Sequence, residues 1–361
     1  MNASVPLARR RNTLSSSLGL GDKLFASSDE RRFVREIEDG LDIVETGLLV
    51  EMSFADDIAD VTSRYLLEAG GKRVRPLLTL LSAQLGGGNT DRVYAAAKAI
   101  EITHLASLYH DDVMDESTMR RGVPTAQAVW GNSVAILTGD LLFARASKLV
   151  ANLGERVIRL QADTFERLCL GQLHETIGPR DGEDEIAHYI QVLADKTGSL
   201  IAAAAAVGVI TSDAPESFYT PVVEFGEKIG VAFQLIDDII DLAESGAETG
   251  KVPGTDLRAG VSTLPLLYLR ELALTDAAAA ALLSRIERNV EAIGQGRSTA
   301  AIDADLDAAI TELRDHDVTT RTRAEAQRWA REAVAALAPL PNGPVKKSLT
   351  RFADTVVERS N

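Results

Sequence analysis

Leu108-Tyr-His-Asp-Asp-Val-Met-Asp115 sits in an otherwise apolar stretch running from about residue 91 to 116. Phe233-Gln-Leu-Ile-Asp-Asp-Ile-Ile-Asp241 repeats its Asp-Asp-x-x-Asp pattern in a second apolar stretch. Residues four apart on an α-helix lie one above the other. Asp111 therefore shares a face with Asp115, and Asp237 with Asp241, while Asp112 and Asp238 fall at the edge. Like charges at this spacing destabilise a helix, and unpaired carboxylates in apolar surroundings cost more. One such turn reads equally well as a solvated helix end. Two of them, each in a long apolar helix, call for a cation. Monodentate aspartates suit Mg²⁺, which keeps waters and binds phosphates.

Outward from these turns the chain reads as helix. Residues 7–75, 125–178 and 266–338 contain no proline, aromatics are 5% and alanine runs are frequent. Proline breaks helix interiors and alanine favours them. The pattern predicts helices near 31–50, 56–69, 75–85, 91–116, 133–152, 155–178, 184–208, 215–244, 264–295, 302–338 and 345–358. Residues 1–30 differ, being Ser-rich, with Arg9, Arg10 and Arg11 and no acid before Asp22. They read as a flexible N-terminal tail, with a targeting peptide as the sharper alternative. No linker or repeat divides 31–361, which reads as one helical domain.

Composition narrows the function. Of 361 residues 45% are hydrophobic, enough for a substantial core. Lys and Arg number 38 against 53 Asp and Glu, a net charge of −15, which argues against nucleic-acid binding. Cys169 is the one cysteine, so neither an intrachain disulfide nor a cysteine-based zinc site is expected. Leu200–Ile210, the longest apolar run, is about half the ~20 residues that span a bilayer. A cytoplasmic protein with no membrane span is expected.

At ~100° per residue, a stripe on the first helix runs His104, Ser107, Asp111, Asp115. The second reads Gly226, Gly230, Gln234, Asp237, Asp241. Its glycines either leave space beside the carboxylates or permit close helix packing. Basic residues lie near predicted corners: Lys72, Arg73 and Arg75 in Gly70-Gly-Lys-Arg-Val-Arg-Pro76, then Arg120 and Arg121, Lys196-Thr197, and Lys251. Any one alone reads as solvated surface. Around carboxylate turns that could hold a metal, they fit phosphate groups.

Taken in order and spacing, these motifs resemble the trans-isoprenyl diphosphate synthases, or polyprenyl synthetases, over about 60–361. Gly139-Asp140, Lys196-Thr197-Gly198 and Gly250-Lys-Val-Pro-Gly-Thr-Asp256 complete the pattern. The resemblance implies a single all-α bundle around a central cavity, with both acidic turns facing it. It implies that an allylic diphosphate ionises, isopentenyl diphosphate attacks the carbocation, and a proton is lost. The diphosphate itself would take that proton, so no side-chain base is nominated. Three Mg²⁺ would bridge the turns to the leaving diphosphate. Asp111 and Asp115 would be the first metal ligands and Asp237 the main ligand of the second turn, with Asp112, Asp238 and Asp241 supporting. Lys72, Arg75, His104 and Arg121 would hold isopentenyl diphosphate. Arg120, Lys196, Thr197, Gln234 and Lys251 would hold the allylic diphosphate, and Lys196 joins Asp111, Asp115 and Asp237 as a catalytic residue.

In short-chain members the fourth or fifth residue before the first aspartate is bulky. Ser107 and Ala106 are small, which implies a medium- or long-chain product, such as a quinone side-chain precursor. The resemblance also implies a homodimer and leaves room for membrane proximity at product release. A farnesyl or geranylgeranyl synthase is the runner-up. A non-catalytic partner subunit would lack one acidic turn, and a class I terpene cyclase would replace the second. A di-iron protein could use Glu101-Ile-Thr-His104 and Glu185-Ile-Ala-His188, but would leave both acidic turns unexplained.

Overall fold

The computed structural model describes residues 27–243 and 253–358. Sixteen α-helices and one two-stranded hairpin make up the regular structure of these residues, apart from a single π turn and a 3₁₀ turn. They fall into two compact units: 27–166, Leu200–Gly226 and Ala336–Phe352 in the first, and Arg167–Ser199, 227–243, 253–335 and 353–358 in the second.

The first unit opens with α1 (Ser28–Glu51). Its N-terminus is a capping box: the Ser27 hydroxyl accepts from Glu30 N, and Ser27 N donates to the Glu30 carboxylate, each at 3.1 Å. The expected boundary at residue 30/31 therefore falls inside a helix. The helices α2 (Asp57–Glu68), α3 (Val74–Ala83) and α4 (Asp91–Met114) follow. After a hairpin, β1 (Met119–Arg120) with β2 (Val123–Pro124), come α5 (Ala126–Trp130), α6 (Asn132–Val150) and α7 (Glu155–Ile177), the last passing into the second unit at Arg167. The most extensive packing is α4 on α6, and both helices bury many small residues: Ala96, Ala97, Ala99 and Ala106 on one, Ala135, Gly139 and Ala146 on the other, where a Cβ on Gly139 would run into the His110 ring. Small side chains let helix axes approach closely, and here they place α4 and its carboxylates at a fixed depth. Sequence reading missed the hairpin. Its turn residues Arg121 and Gly122 both have positive φ, 53° and 78°, as a two-residue hairpin of this twist requires.

The second unit contains α8 (Glu185–Leu193), which runs through a π turn (Ala194–Gly198) into α9 (Ser199–Thr211), whose residues from Leu200 on belong to the first unit. Here the continuous helix predicted over 184–208 is widened by one turn. The 27 residues Glu185–Thr211 are long and apolar enough to cross a membrane, and 78% of their most apolar window is buried in the protein. A 3₁₀ turn of the first unit (Glu216–Phe218) leads to α10 (Tyr219–Asp241), which belongs to the second unit from Glu227 on. Then come α11 (Thr255–Arg258), α12 (Leu264–Ala273), α13 (Ala277–Gly294), α14 (Ala300–Asp315) and α15 (Asp317–Ala336), followed by α16 (Pro344–Glu358), which belongs to the first unit as far as Phe352.

Two predicted long helices are each split in two. Asp276 caps α13 by accepting from Ala279 N at 2.8 Å, which ends the stretch predicted as 264–295. His316 turns extended, and its Nδ1 accepts from Val318 N at 3.2 Å, which divides 302–338. The core of this unit joins Leu235, Ile236 and Ile239 of α10 to Leu264 and Leu269, Leu282 and Ile286, and Leu306, Ile310 and Leu313.

Candidate active site

Within the first unit, α4 carries the first acidic turn on its final turn. Asp115 is its C-cap, with its N–H bonded to Asp111 O at 2.8 Å. Asp241 likewise ends α10. The negative end of the helix dipole opposes carboxylates there and favours cations, which adds to the mutual repulsion already evident in the spacing. Each turn buries its middle aspartate and leaves the outer two partly accessible: Asp112 and Asp238 are 0% and 6% exposed.

Asp112 is held from outside its helix. Arg120, on β1, brings Nε and Nη2 each to 2.7 Å of Asp112 Oδ1. Asp112 Oδ2 is enclosed with no hydrogen-bond partner. Loss of hydration raises the Asp112 pKa, and Arg120 pulls it back. Arg120, expected to hold the allylic diphosphate, here grips an aspartate.

The neighbouring Arg121 reaches the other way. Its Nη1 donates to Leu66 O at 2.7 Å and to Gly70 O. Gly70 O also accepts from Arg73 Nη1 at 3.3 Å, so two guanidinium groups meet at the Gly70-Gly71 corner. Arg73 is the N-cap of α3 in the left-handed region, φ 51°. It bonds Glu45 at 2.6 and 3.1 Å, Leu67 O at 3.1 Å, and Glu101 at 3.2 Å. Arg73 is thus part of the framework, and its neighbours Lys72 and Arg75 remain the candidates for ligand. Arg75 keeps partial solvent access, but its Nε is enclosed without a partner. Burial lowers its pKa to about 10, with Arg121 adding to the fall and Glu101 opposing it.

His104 lies in the same field. Loss of hydration, then the charges of Arg75, Arg121, Arg73 and Arg120, hold its pKa well below 6.5. A neutral imidazole can still donate a hydrogen bond. Glu101, 2% exposed, is the carboxylate that acts on Arg73, Arg75 and Arg121. The structure therefore brings Arg75, His104 and Arg121 together in a corner with excess positive charge, suited to an anion. Lys72 is exposed beside it.

Ala106 is fully buried, and Ser107 is partly accessible with its hydroxyl donating to His104 O at 2.9 Å.

In the second unit the π turn holds Lys196 and Thr197. Such turns are often functional. Lys196 Nζ pairs with Glu175 of α7. Asp195 accepts from Arg167 Nε and Gln191 Nε2, each at 2.8 Å, and Arg167 also holds Glu227. Glycines permit the close approach. A Cβ on Gly230 would lie 2.6 Å from Gly198 Cα, and one on Gly171 would lie 2.8 Å from Lys196 N. In the first unit a Cβ on Gly226 would lie 2.5 Å from Ala202 Cα. The glycine stripe of α10 thus serves helix packing, and the alternative of open space beside the carboxylates is corrected.

Gln234 and Asp237 are partly accessible. Asp238 Oδ2 accepts from Tyr189 O–H at 2.7 Å and Leu264 N at 3.4 Å. Burial pushes its carboxyl up to about 7. Asp241 Oδ2 accepts from Asp256 N at 3.1 Å, and Asp241 O from Gly254 N at 2.7 Å. Lys251 lies outside the described residues.

Among the described residues no three His, Cys, Asp or Glu side chains form a metal cage. The di-iron alternative is not supported: Glu101 is spent on Arg73, and Glu185 pairs with Arg270. The acidic turns instead offer part of an oxygen shell. In the first unit the accessible Asp111 and Asp115, the partnerless Asp112 Oδ2 and the end of α4 suit a hard divalent ion that phosphate oxygens and water would complete, and in the second unit Asp237, Asp241 and the end of α10 do likewise. Sequence reading had missed Tyr189 and Glu175 as partners of Asp238 and Lys196. It saw Glu101 only as half of a Glu-x-x-His pair, although its position one turn before His104 marked it as a neighbour of the basic corner.

The profile of the polyprenyl synthetase family matches residues 56–299. The chain is 41% identical over 349 residues to nonaprenyl diphosphate synthase of Mycobacterium tuberculosis, covering 96% of this chain and 98% of that protein. It superposes on decaprenyl diphosphate synthase from Rhodobacter capsulatus with TM-score 0.79 and 35% identity, over 92% of this chain and 99% of that one. Geranylgeranyl pyrophosphate synthase from Corynebacterium glutamicum, solved with calcium and isoprenyl diphosphate, gives TM-score 0.77 and 36% identity, over 93% of this chain and 99% of that one. With acidic turns, basic corner and fold agreeing over most of its length, the chain belongs to the polyprenyl synthetase family, whose members are prenyltransferases that make polyprenyl diphosphates.

Proposed function

We propose that the chain is a Mg²⁺-dependent synthase that joins isopentenyl diphosphate head-to-tail to an allylic diphosphate and makes an all-trans polyprenyl diphosphate of medium or long chain. One observation carries the reading: the basic corner of Arg75, Arg121 and His104, with Arg75 Nε enclosed and partnerless, lies on the helix framework that presents Asp111 and Asp115. Lys72, Arg75, His104 and Arg121 bind isopentenyl diphosphate, and the neutral imidazole donates without adding charge. Arg120, Lys196, Thr197, Gln234 and Lys251 bind the allylic diphosphate. For Arg120 and Lys196 this means exchanging Asp112 and Glu175 for phosphate oxygens.

Asp111, Asp115 and Asp237 would hold Mg²⁺, three ions in all, with Asp112, Asp238 and Asp241 supporting. When bound, these ions neutralise the charge developing on the departing diphosphate. The arginines and lysines add fixed positive charge at the same groups. Exclusion of water by the apolar walls protects the carbocation. The departing diphosphate takes the proton.

Small side chains at Ala106 and Ser107 support the longer product. The likeness to a geranylgeranyl pyrophosphate synthase keeps a shorter one as the second reading. The protein works in the cytoplasm, as a homodimer that releases product near a membrane. Exposed Ile136, Leu137 and Ile158 on α6 and α7 support self-association. Incubating the purified chain with labelled isopentenyl diphosphate, each allylic starter and Mg²⁺, then sizing the dephosphorylated products, tests the activity. No condensation with any starter would refute it. Light scattering tests the dimer.

A further inference from the structure

Tyr189 belongs to none of the motifs, yet it makes a shorter hydrogen bond to the buried carboxylate of the second acidic turn than the backbone of Leu264 does. Its hydroxyl donates to Asp238 Oδ2 at 2.7 Å, against 3.4 Å for Leu264 N at the same oxygen. The Tyr189 ring packs against the core of the second unit, joined by Ile186 and Ile190 from its own helix. A side chain with its ring held by packing and its hydroxyl aimed at one oxygen has little freedom to follow a moving carboxylate. Asp238 is therefore held at one oxygen by donors from two elements, α8 and the start of α12. Asp237 is the next residue along the same helical turn, so the direction of its carboxylate depends on the backbone that Asp238 anchors.

The same α8 leads without a break into the π turn, with Lys196 seven residues beyond Tyr189. Asp195 of that turn is itself fixed by Arg167 and Gln191. The Tyr189 hydroxyl thus pins the end of α10 to the segment that carries Lys196.

We propose that Tyr189 is a positioning residue for the second acidic turn: through its hydrogen bond to Asp238 it sets the presentation of Asp237 to a divalent ion. It touches neither substrate nor ion. This inference rests on the reading of Asp237 as a metal ligand. Partners behind metal-binding carboxylates tune affinity ~10–100-fold.

Tyr189→Phe in the full chain removes one oxygen and keeps the packed ring. Mn²⁺ binding in the presence of inorganic pyrophosphate, read by electron paramagnetic resonance, should weaken about tenfold or more. In assays the Mg²⁺ concentration for half-maximal turnover should rise by a similar factor, while the KM for isopentenyl diphosphate stays unchanged. A purely structural role would not divide the two constants in this way. Asp238→Asn supplies the second arm. If Tyr189 acts through Asp238, adding Tyr189→Phe to Asp238→Asn should cost clearly less than it costs the native chain.

Unchanged Mn²⁺ affinity in Tyr189→Phe overturns the proposal, as does an equal rise of both constants or full additivity with Asp238→Asn. Asp237→Ala separates this failure from that of the underlying reading. If Asp237→Ala leaves Mn²⁺ binding intact, Asp237 is not a ligand and both ideas fall. If only Tyr189→Phe is silent, the ligand assignment stands and the positioning role is wrong.

Discussion

Arg120 spends both of its Asp112 contacts on a single oxygen, while the other oxygen stays enclosed and partnerless. The adjacent Arg121 pulls toward Gly70 instead. The small hairpin is therefore a strap between the acidic turn and the basic corner, tied at each end by one guanidinium.

Removing the Arg120 tie should be costly. Arg120→Ala leaves Asp112 buried and charged, and a buried pair broken on one side loses ~3–5 kcal/mol. Partial solvent access at Arg120, 31%, brings the expected loss nearer ~2 kcal/mol. Adding Asp112→Asn should restore part of it. Denaturant unfolding of the two single variants and the double variant checks this, and additive losses would mean the pair is not coupled.

Stability and binding should part company at Arg75. The corner carries more positive charge than Glu101 balances, so Arg75→Met should hold or raise the melting temperature of the ligand-free protein. The KM for isopentenyl diphosphate should rise more than tenfold. Lys72→Ala should raise the same KM with little thermal effect. A rise confined to the allylic substrate would show that the two diphosphate pockets are interchanged.

Asp111→Ala or Asp237→Ala should each lower turnover at least a hundredfold in saturating Mg²⁺. Helical circular dichroism should be unchanged, and thermal stability can rise slightly, since each removes a carboxylate repulsion near a helix C-terminus. Near-native turnover in either would sink the metal assignment.

Two groups give opposite pH signatures in the metal-free protein. His104 is held well below 6.5, so the unfolded chain takes up its proton first as pH falls. Its contribution is lost on going below about pH 6.5. Asp238, raised from 3.8 to about 7, does the reverse: the folded protein keeps the proton, and stability is lost as pH rises through that window. Asp238→Asn should therefore stabilise more at pH 8 than at pH 4, and His104→Gln should flatten the acid side. Melting curves from pH 4 to 8 decide it, and parallel curves for Asp238→Asn and the native chain would contradict the burial argument.

Chain length gives the last test. Ala106 is completely buried, so Ala106→Phe should cost ~1–3 kcal/mol of overpacking besides any effect on product. Ser107 retains access, which makes Ser107→Phe the cleaner probe. It should shorten the main product to the farnesyl or geranylgeranyl range while sparing the first condensation. An unaltered long-chain profile would mean the growing tail follows another wall.

What could be read from the sequence was local and repeated. The acidic turns, the stripe through His104 and the Gly-Gly-Lys-Arg corner declare themselves by spacing, because helix periodicity converts spacing into a shared face. What stayed hidden depends on partners far along the chain. Nothing near Asp238 announces Tyr189, 49 positions earlier. Arg73 and Arg75 are two residues apart and chemically alike, yet one is bonded into the framework and the other keeps an enclosed nitrogen without a partner. Helix ends at Asp276 and His316 were overlooked because the apolar pattern continues past them. Asp276 is a recognised cap residue, but a histidine accepting a backbone N–H is a weaker signal.

The π turn at Ala194–Gly198 has one more consequence. It amounts to a residue inserted into a running helix, so the segment before it is out of angular phase by ~100° with the segment after it. Deleting one residue there would restore an ordinary helix and turn Tyr189 by that angle relative to Gly198, which packs on Gly230 of the same unit, and so away from Asp238. The turn is a register device: a length change of one residue between Leu193 and Ser199 should disturb the chain more than a longer insertion in the surface loop at residues 178–184.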